Sequence, residues 1–342
     1  MKKNGTLWKH LEEYKRKLSE SSKTSVKERR GRFIFGDGEL AGIEYDLDEK
    51  ELTIPYDVPA LFFSPNLLYT TTALPESVKK IIITEDVRKI GNSAFEKTML
   101  TEAVLGGAIE YIGESSFAYT DLKSITIPEK VVRIENRTFS GCTRLEEVMI
   151  PGKIDSIGDK AFYYCKRLEK IDIPDSVSFI GKEAFGNCER LKAVKIPEGV
   201  TRLFEEVFYN CRDLEEVLLP DSLTEIADRA FFGCDYLKRI RIPAGVRSIG
   251  REAFCGCENI SELVLHDGMT AIEDGTFKGC LCLERISIPA SVTWIADNAF
   301  DEKLTDYLAA PRLANPELTI IAPKGSYAIK YAIDHGINYQ KI

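Results

Sequence analysis

Phenylalanine recurs along the chain at Phe95, Phe117, Phe139, Phe162, Phe185, Phe208, Phe231, Phe254, Phe277 and Phe300, at spacings of 22, 22 and then 23 seven times. Other apolar positions keep register with it. Six residues after Phe139 and each later Phe to Phe277 stands Leu or Ile, as at Leu168, Leu191 and Ile260; nine and eleven after it stand aliphatic pairs such as Ile171/Ile173 and Val194/Ile196. Proline follows at Pro151, Pro174, Pro197, Pro220, Pro243 and Pro289, with His266 in the one gap. Val177/Ile180 or Val246/Ile249 then lead to a closing Gly-x-x-Ala-Phe.

Each position predicts a local structure. Alternating apolar residues, as in KAVKIP, predict a short strand that buries one face. Proline stops that strand because it cannot donate to the ladder. Gly158, Gly181 and Gly250 fall where a coil turns sharply. The Ala-Phe pair predicts a short helical or 3₁₀ turn packed back over the strand. One such unit cannot bury its apolar face alone, so the units stack at about 4.8 Å per strand into a solenoid with a continuous sheet and core. The expected fold is a mainly β repeat solenoid, a right-handed coil with one parallel sheet face, short helical or 3₁₀ turns opposite and capping helices. About ten repeats occupy residues 79–305.

The pattern Leu-x-x-Ile-x-Ile-Pro-x-x-Val-x-x-Ile-Gly-x-x-Ala-Phe-x-x-Cys, carried almost without departure by residues 165–188, resembles the BspA-type leucine-rich repeat. The resemblance covers roughly residues 76–342. GIEYDLDEKELTIP (42–55) is similar to the hairpin that opens such arrays, and KGSYAIKYAIDHGINYQKI (324–342) to their closing helix and strand. What the resemblance implies is a non-catalytic binding protein; members are best known as bacterial cell-surface proteins that bind host or partner-cell macromolecules.

The flanks break the period. Trp8, Leu11, Tyr14 and Leu18 have helical spacing, and SESSKTSVKERRGR (19–32) reads as a linker, giving a basic N-terminal segment over 1–32. Residues 33–78 form a capping hairpin and an irregular entry segment, the latter with ALFF and three prolines in 59–77. Residues 306–342 form the C-terminal cap. The chain of 342 residues has a net charge of −8, yet residues 1–32 hold eleven Lys/Arg against four Glu, so the rest of the chain is acidic. An acidic body excludes a nucleic-acid-binding surface as the main function. No stretch reaches the ~18 apolar residues of a membrane span, and the lysine-rich start lacks the apolar core of a signal peptide. The expected location is cytoplasmic, and adhesion at a cell surface would need another export route.

Seven of nine cysteines, Cys142, Cys165, Cys188, Cys211, Cys234, Cys257 and Cys280, stand three residues after Phe. Stacked coils put them in a column with Cα atoms roughly 5 Å apart, inside disulfide range. Without a secretion signal they are expected reduced, acting as small buried hydrophobes. Cys255 and Cys282 complete two Cys-x-Cys pairs, Cys255/Cys257 and Cys280/Cys282, whose four sulfurs suggest zinc or redox chemistry only if they converge. GDGELAG (36–42) is followed by strand-like IEYDL rather than a helix, so it reads as a turn and not a phosphate loop. His10, His266 and His335 are scattered, and no catalytic constellation can be assembled. No cofactor or metal is expected.

Recognition is therefore assigned to the exposed residues of the sheet, seven, eight and ten after each Phe. Early coils carry Glu146, Glu147, Glu169, Lys170 and Asp172; later ones carry Lys192, Lys195, Glu215, Glu216, Leu218, Lys238, Arg239, Arg241, Val264 and Arg285. The stripe drifts from acidic to basic with apolar points at Met149, Leu218 and Val264. Lys192, Lys195, Leu218, Lys238, Arg239, Arg241, Val264 and Arg285 are the candidate contacts for a protein partner. Tyr163, Tyr164, Tyr209 and Phe232, on the opposite edge, read equally as interface or as packing between coils.

Overall fold

The structure, a computed structural model, describes residues 30–33, 43–46, 51–54, 79–83, 87–302 and 315–342. The expected helix at 5–19, most of the 19–32 linker, the GDGELAG turn, the entry segment and most of the irregular stretch 301–317 lie outside the described residues. Arg30–Phe33, read above as the end of a linker and the start of the cap, is a strand antiparallel to Ile43–Asp46, which in turn pairs with Glu51–Ile54. That hairpin feeds a parallel ladder through Lys80–Ile83 and Glu102–Leu105. No helix among the described residues is long and apolar enough to cross a membrane.

Most coils contribute two strands, and the coils stack in parallel; in one coil the main-sheet strand is reduced to an isolated bridge between Lys170 and Ala193. The main sheet runs through strands such as Glu147–Met149, Ala193–Lys195, Glu216–Leu218, Arg239–Ile240, Glu262–Val264 and Arg285–Ser287. Its register is one repeat per step: Val194 stands opposite Val217 and Val217 opposite Ile240. A second ladder of two-residue strands, including Ser156–Ile157, Phe179–Ile180, Arg202–Leu203 and Glu225–Ile226, forms a side face. Between the two, proline closes a turn in which the Val177 N–H donates to the Pro174 carbonyl at 3.0 Å. Proline therefore ends the strand and also shapes the corner.

The back wall is turned rather than helical. Residues two before and two after Phe adopt left-handed backbone, as at Glu183 (φ 52°) and Asn187 (φ 59°). Handedness alternates, so N–H groups alternate in direction. Those of Glu183, Phe185 and Asn187 donate to Glu205, Val207 and Tyr209 of the next coil, at 3.0, 3.0 and 2.6 Å. Those of Ala184, Gly186 and Cys188 close local turns. A helix would satisfy its N–H groups internally and leave none for the neighbouring coil. Each non-glycine left-handed residue costs roughly 1–2 kcal/mol, and the bonds between coils offset it.

Inside this wall the ten phenylalanines form one stack, with ring centroids 5.2–5.8 Å apart and interplanar angles of 1–23°. The cysteines run beside it and do more than fill space. The Cys188 Sγ–H donates to the Phe162 carbonyl of the preceding coil at 3.2 Å. The same contact recurs at 3.1–3.3 Å for the other six, from Cys142 to Cys280. Each Phe carbonyl also accepts the N–H of its own coil's cysteine, as Phe162 does from Cys165 at 3.1 Å. In the first two coils the place of cysteine is taken by Thr98 and Thr120, whose hydroxyls donate to Phe95 and Phe117 at 2.8 and 2.9 Å. At the far end the helix Tyr327–Asp334 closes the core. Its Tyr331 ring follows Phe300 at 6.2 Å, and its hydroxyl donates to the Ala296 and Asp297 carbonyls.

The repeat glycines serve close approach rather than a special backbone angle. A Cβ on Gly158 would lie 2.6 Å from Asn136 Oδ1 and 2.7 Å from the Asn136 nitrogen. That Oδ1 accepts the Asp159 N–H at 2.9 Å, and Asp159 does the same for Lys182 one coil on. Asn92 and Asp228 act likewise toward Glu114 and Arg251. An Asn or Asp in one coil thus goes with glycine in the next: Asn92 with Gly113, Asn136 with Gly158, Asp159 with Gly181, Asp228 with Gly250. Where Glu114, Lys182, Glu205 and Arg251 stand instead, the following coil has Glu135, Phe204, Ala227 and Glu273. Ala296, after Asp274, is the exception.

Two outcomes follow from this core. Phe208→Ala removes one ring from the stack and is expected to cost about 3–5 kcal/mol in denaturant unfolding. The second concerns pH. Burial pushes the Cys142 thiol up to about 11 and the other column thiols up as well. Folded thiols keep their protons while unfolded ones lose them above about 8.5, so the stabilisation is complete below that pH and falls as pH rises. Each thiol contributes a slope of roughly 1.4 kcal/mol per pH unit. Unfolding under reducing conditions between pH 8.5 and 10.5 should show a steep decline, shallower in Cys165→Thr/Cys188→Thr; equal slopes would contradict the assignment.

Candidate functional site: the exposed face of the main sheet

Alternation along each main-sheet strand sends one side chain inward and its two neighbours outward. In Glu216–Leu218 the central Val217 is buried, Leu218 is exposed and Glu216 is half-buried; in Glu262–Val264 Leu263 is buried between exposed Glu262 and Val264. Lys192, Lys195, Leu218, Lys238, Arg239, Arg241, Val264 and Arg285 are all exposed on this face. They fall in three columns: Lys192 and Lys238 where each strand is entered, Arg239 and Arg285 on the next, and Lys195, Leu218, Arg241 and Val264 on the third.

The sequence reading saw a drift from acidic to basic. In space the charges are paired, mostly across coils. Lys238 Nζ lies 2.9 Å from Glu215, Arg239 Nε 3.5 Å from Glu216 and Arg285 Nε 4.0 Å from Glu262. The Lys238 ammonium lowers the Glu215 pKa. Lys195 and Arg241 reach beyond the strand to Asp175 and Asp221, at 3.1 and 2.6 Å. Those two aspartates were not among the sequence candidates, and the signal for them is the Pro-Asp dipeptide after the strand at 174–175 and 220–221. Lys192 has no ion pair among the described residues, though it contributes to lowering Glu215. Exposed pairs of this kind are worth about 0–1 kcal/mol each, so they shape the face without holding the fold.

What stands out between the pairs is apolar. Met149 is 60% exposed, Leu218 54% and Val264 44%, all in the third column, together with Val104 near the N-terminal end. Sheet residues at this register have the core on their other side, so no packing need explains an aliphatic group facing water.

The other sequence candidates have packing partners. Tyr209 and Phe232 stack at 5.0 Å across adjacent coils, and Tyr163 lies over Gly186. The Lys160 and Lys166 ammonium groups cover the Tyr163 and Tyr164 rings at 5.2 and 4.5 Å. The His266 ring nitrogen lies 3.0 Å from the Ile242 carbonyl, and His335 packs on Tyr331. Cys255 is buried whereas Cys282 is exposed, and no cluster of His, Cys, Asp or Glu with metal-binding geometry occurs among the described residues.

The BspA type leucine rich repeat region, in six copies, matches residues 74–192 and 179–305. No curated protein matches the sequence. Solved structures similar to this chain include a leucine-rich cell surface protein from Faecalibacterium prausnitzii A2-165. It has 23% identity and a TM-score of 0.44, covering 89% of this chain and 98% of that one. A leucine-rich repeat protein from Bacteroides ovatus has 22% identity and a TM-score of 0.46, covering 93% and 99%. Another from Eubacterium ventriosum has 19% identity and a TM-score of 0.45, covering 78% and 94%. The match over residues 74–305 extends across most of the chain and all the coils with the Phe-Cys core, and the chain belongs to the BspA-type leucine-rich repeat family.

Proposed function

We propose that this protein is a non-catalytic recognition module that binds another protein through the exposed face of its main sheet. The observation that carries the reading is the column of exposed aliphatic side chains, Met149, Leu218 and Val264, set among charges that already have partners. Apolar groups on an otherwise ion-paired face lose water favourably on association, and the surrounding pairs supply a polar rim. Because the cations are neutralised locally, the surface selects by shape and pattern more than by net charge. Lys192 and the Lys238–Glu215 pair then fix register rather than steer a highly charged partner from a distance.

The test is affinity capture from the native cell with wild type and Leu218→Asp run in parallel. A partner retained by wild type should bind Leu218→Asp at least about tenfold more weakly, as expected for an aliphatic contact at the centre of an interface. Swapping one pair, Lys238→Glu with Glu215→Lys, keeps the local charge balance and should weaken binding less, with little change in stability. Equal affinity of the partner for wild type and both variants would move recognition off this face.

A further inference from the structure

The side ladder carries a notch that the repeat does not predict. In the column where glycine normally follows the strand, successive coils place Phe204, Ala227, Gly250 and Glu273. Ala227 and Gly250 form the floor, Glu273 stands at one end, and at the other Arg202 lies over the Phe204 ring at 4.8 Å. Phe204 and Glu273 follow the coils in which Lys182 and Arg251 stand in place of Asn or Asp. Over this floor lies an open cavity of about 410 Å³, a size suited to a small molecule.

Its lining decides the class of ligand. It is mainly polar and charged, with Ile226, Ala227, Ile249 and Ala271 among the lining, which disfavours a wholly apolar occupant. The charges oppose one another and are partly spent. Arg202 pairs with Glu225 at 3.2 Å, Arg247 donates to the Ala244 and Asp267 carbonyls, and Asp228 accepts the Arg251 N–H. A free ion of either sign therefore meets no concentrated counter-charge. Donors and acceptors still remain side by side. The Arg202 Nε–H is buried with no hydrogen-bond partner among the described residues. The Glu273 carboxylate and the Ser248 and Thr270 hydroxyls line the same space. A ligand that fits must both donate and accept at several points while carrying no net charge, and that is the chemistry of a sugar ring with its hydroxyls.

We propose that this notch binds a neutral saccharide unit, independently of the protein-binding face. Carboxylates such as Glu273 accept from sugar hydroxyls, and arginines such as Arg202, which lies over the Phe204 ring at one end, donate to their oxygens. The proposal does not rest on the function assigned to the main sheet, since the two surfaces belong to different ladders.

The experiment is saturation-transfer NMR on the full chain with glucose, galactose, mannose, N-acetylglucosamine, lactose, maltose and cellobiose. Spermidine and acetate serve as charged probes. At least one neutral sugar should show transfer and a titratable affinity. Ser248→Trp should abolish it by filling the notch. The substitution is compatible with folding, because Trp294 occupies the equivalent exposed position two coils on. Glu273→Gln should weaken binding about tenfold, the worth of a hydrogen bond to a charged acceptor, and Leu218→Asp on the other face should leave it unchanged. Transfer to none of the sugars, preferential binding of spermidine or acetate, or sugar binding that survives Ser248→Trp would each overturn the proposal.

Discussion

The structure depends on one repeated contact: the carbonyl of the repeat phenylalanine, which in seven coils, from Phe117 to Phe254, accepts a backbone N–H from its own coil and a thiol S–H from the next. A solenoid has no long-range fold to hold its units in order, so its stability is set by neighbouring interfaces. Strand pairing on two sides fixes spacing but tolerates sliding along the strand. The Phe stack and its thiol link fix rotation and register at the back, where the chain turns most tightly. This explains why cysteine recurs where alanine would also fit: sulfur is apolar enough for a dry core and still donates.

Once stacking is fixed by the interior, the exterior is free to vary, and it varies differently on the two ladders. On the main sheet the outward residues change from coil to coil while their charges remain paired, leaving aliphatic groups as the unexplained feature. On the side ladder the variation reaches a structural position. Glycine there goes with Asn or Asp in the coil before, except at Ala296, and a Cβ would meet both that side-chain oxygen and the backbone beside it. Where Lys182 and Arg251 stand instead, the next coil carries Phe204 and Glu273. A surface site thus lies between two departures from the glycine pattern three coils apart.

Much of this was legible in the sequence because the period is long and kept. The spacing of Phe95 to Phe300 gives the coil, Val194 and Ile196 the strand, and Ser326 to Asp334 the closing helix. The back wall was misread as helical because Gly-x-x-Ala-Phe has helix-compatible residues. Left-handed backbone at Glu183 or Arg229 is imposed by the neighbouring coil and leaves no mark on local propensity. The glycines were read as bends for the same reason, since their crowding comes from residues 21 or 22 positions earlier. The eight candidate contacts were found by counting from Phe, but their neutralisation was not, because Asp175 and Asp221 lie past the strand end and approach only in space.

The most direct measurement of the central contact is the S–H stretching band of the reduced native protein, recorded by Raman spectroscopy. Nine thiols contribute, seven of them donating to Phe carbonyls. The account predicts a dominant band displaced to lower frequency from that of a free thiol, narrow because the seven sites are alike, and weakened in Cys188→Ala without a change in position. A dominant band at the free-thiol position would show that the sulfurs merely occupy the core, and the coil-to-coil link would have to be sought elsewhere.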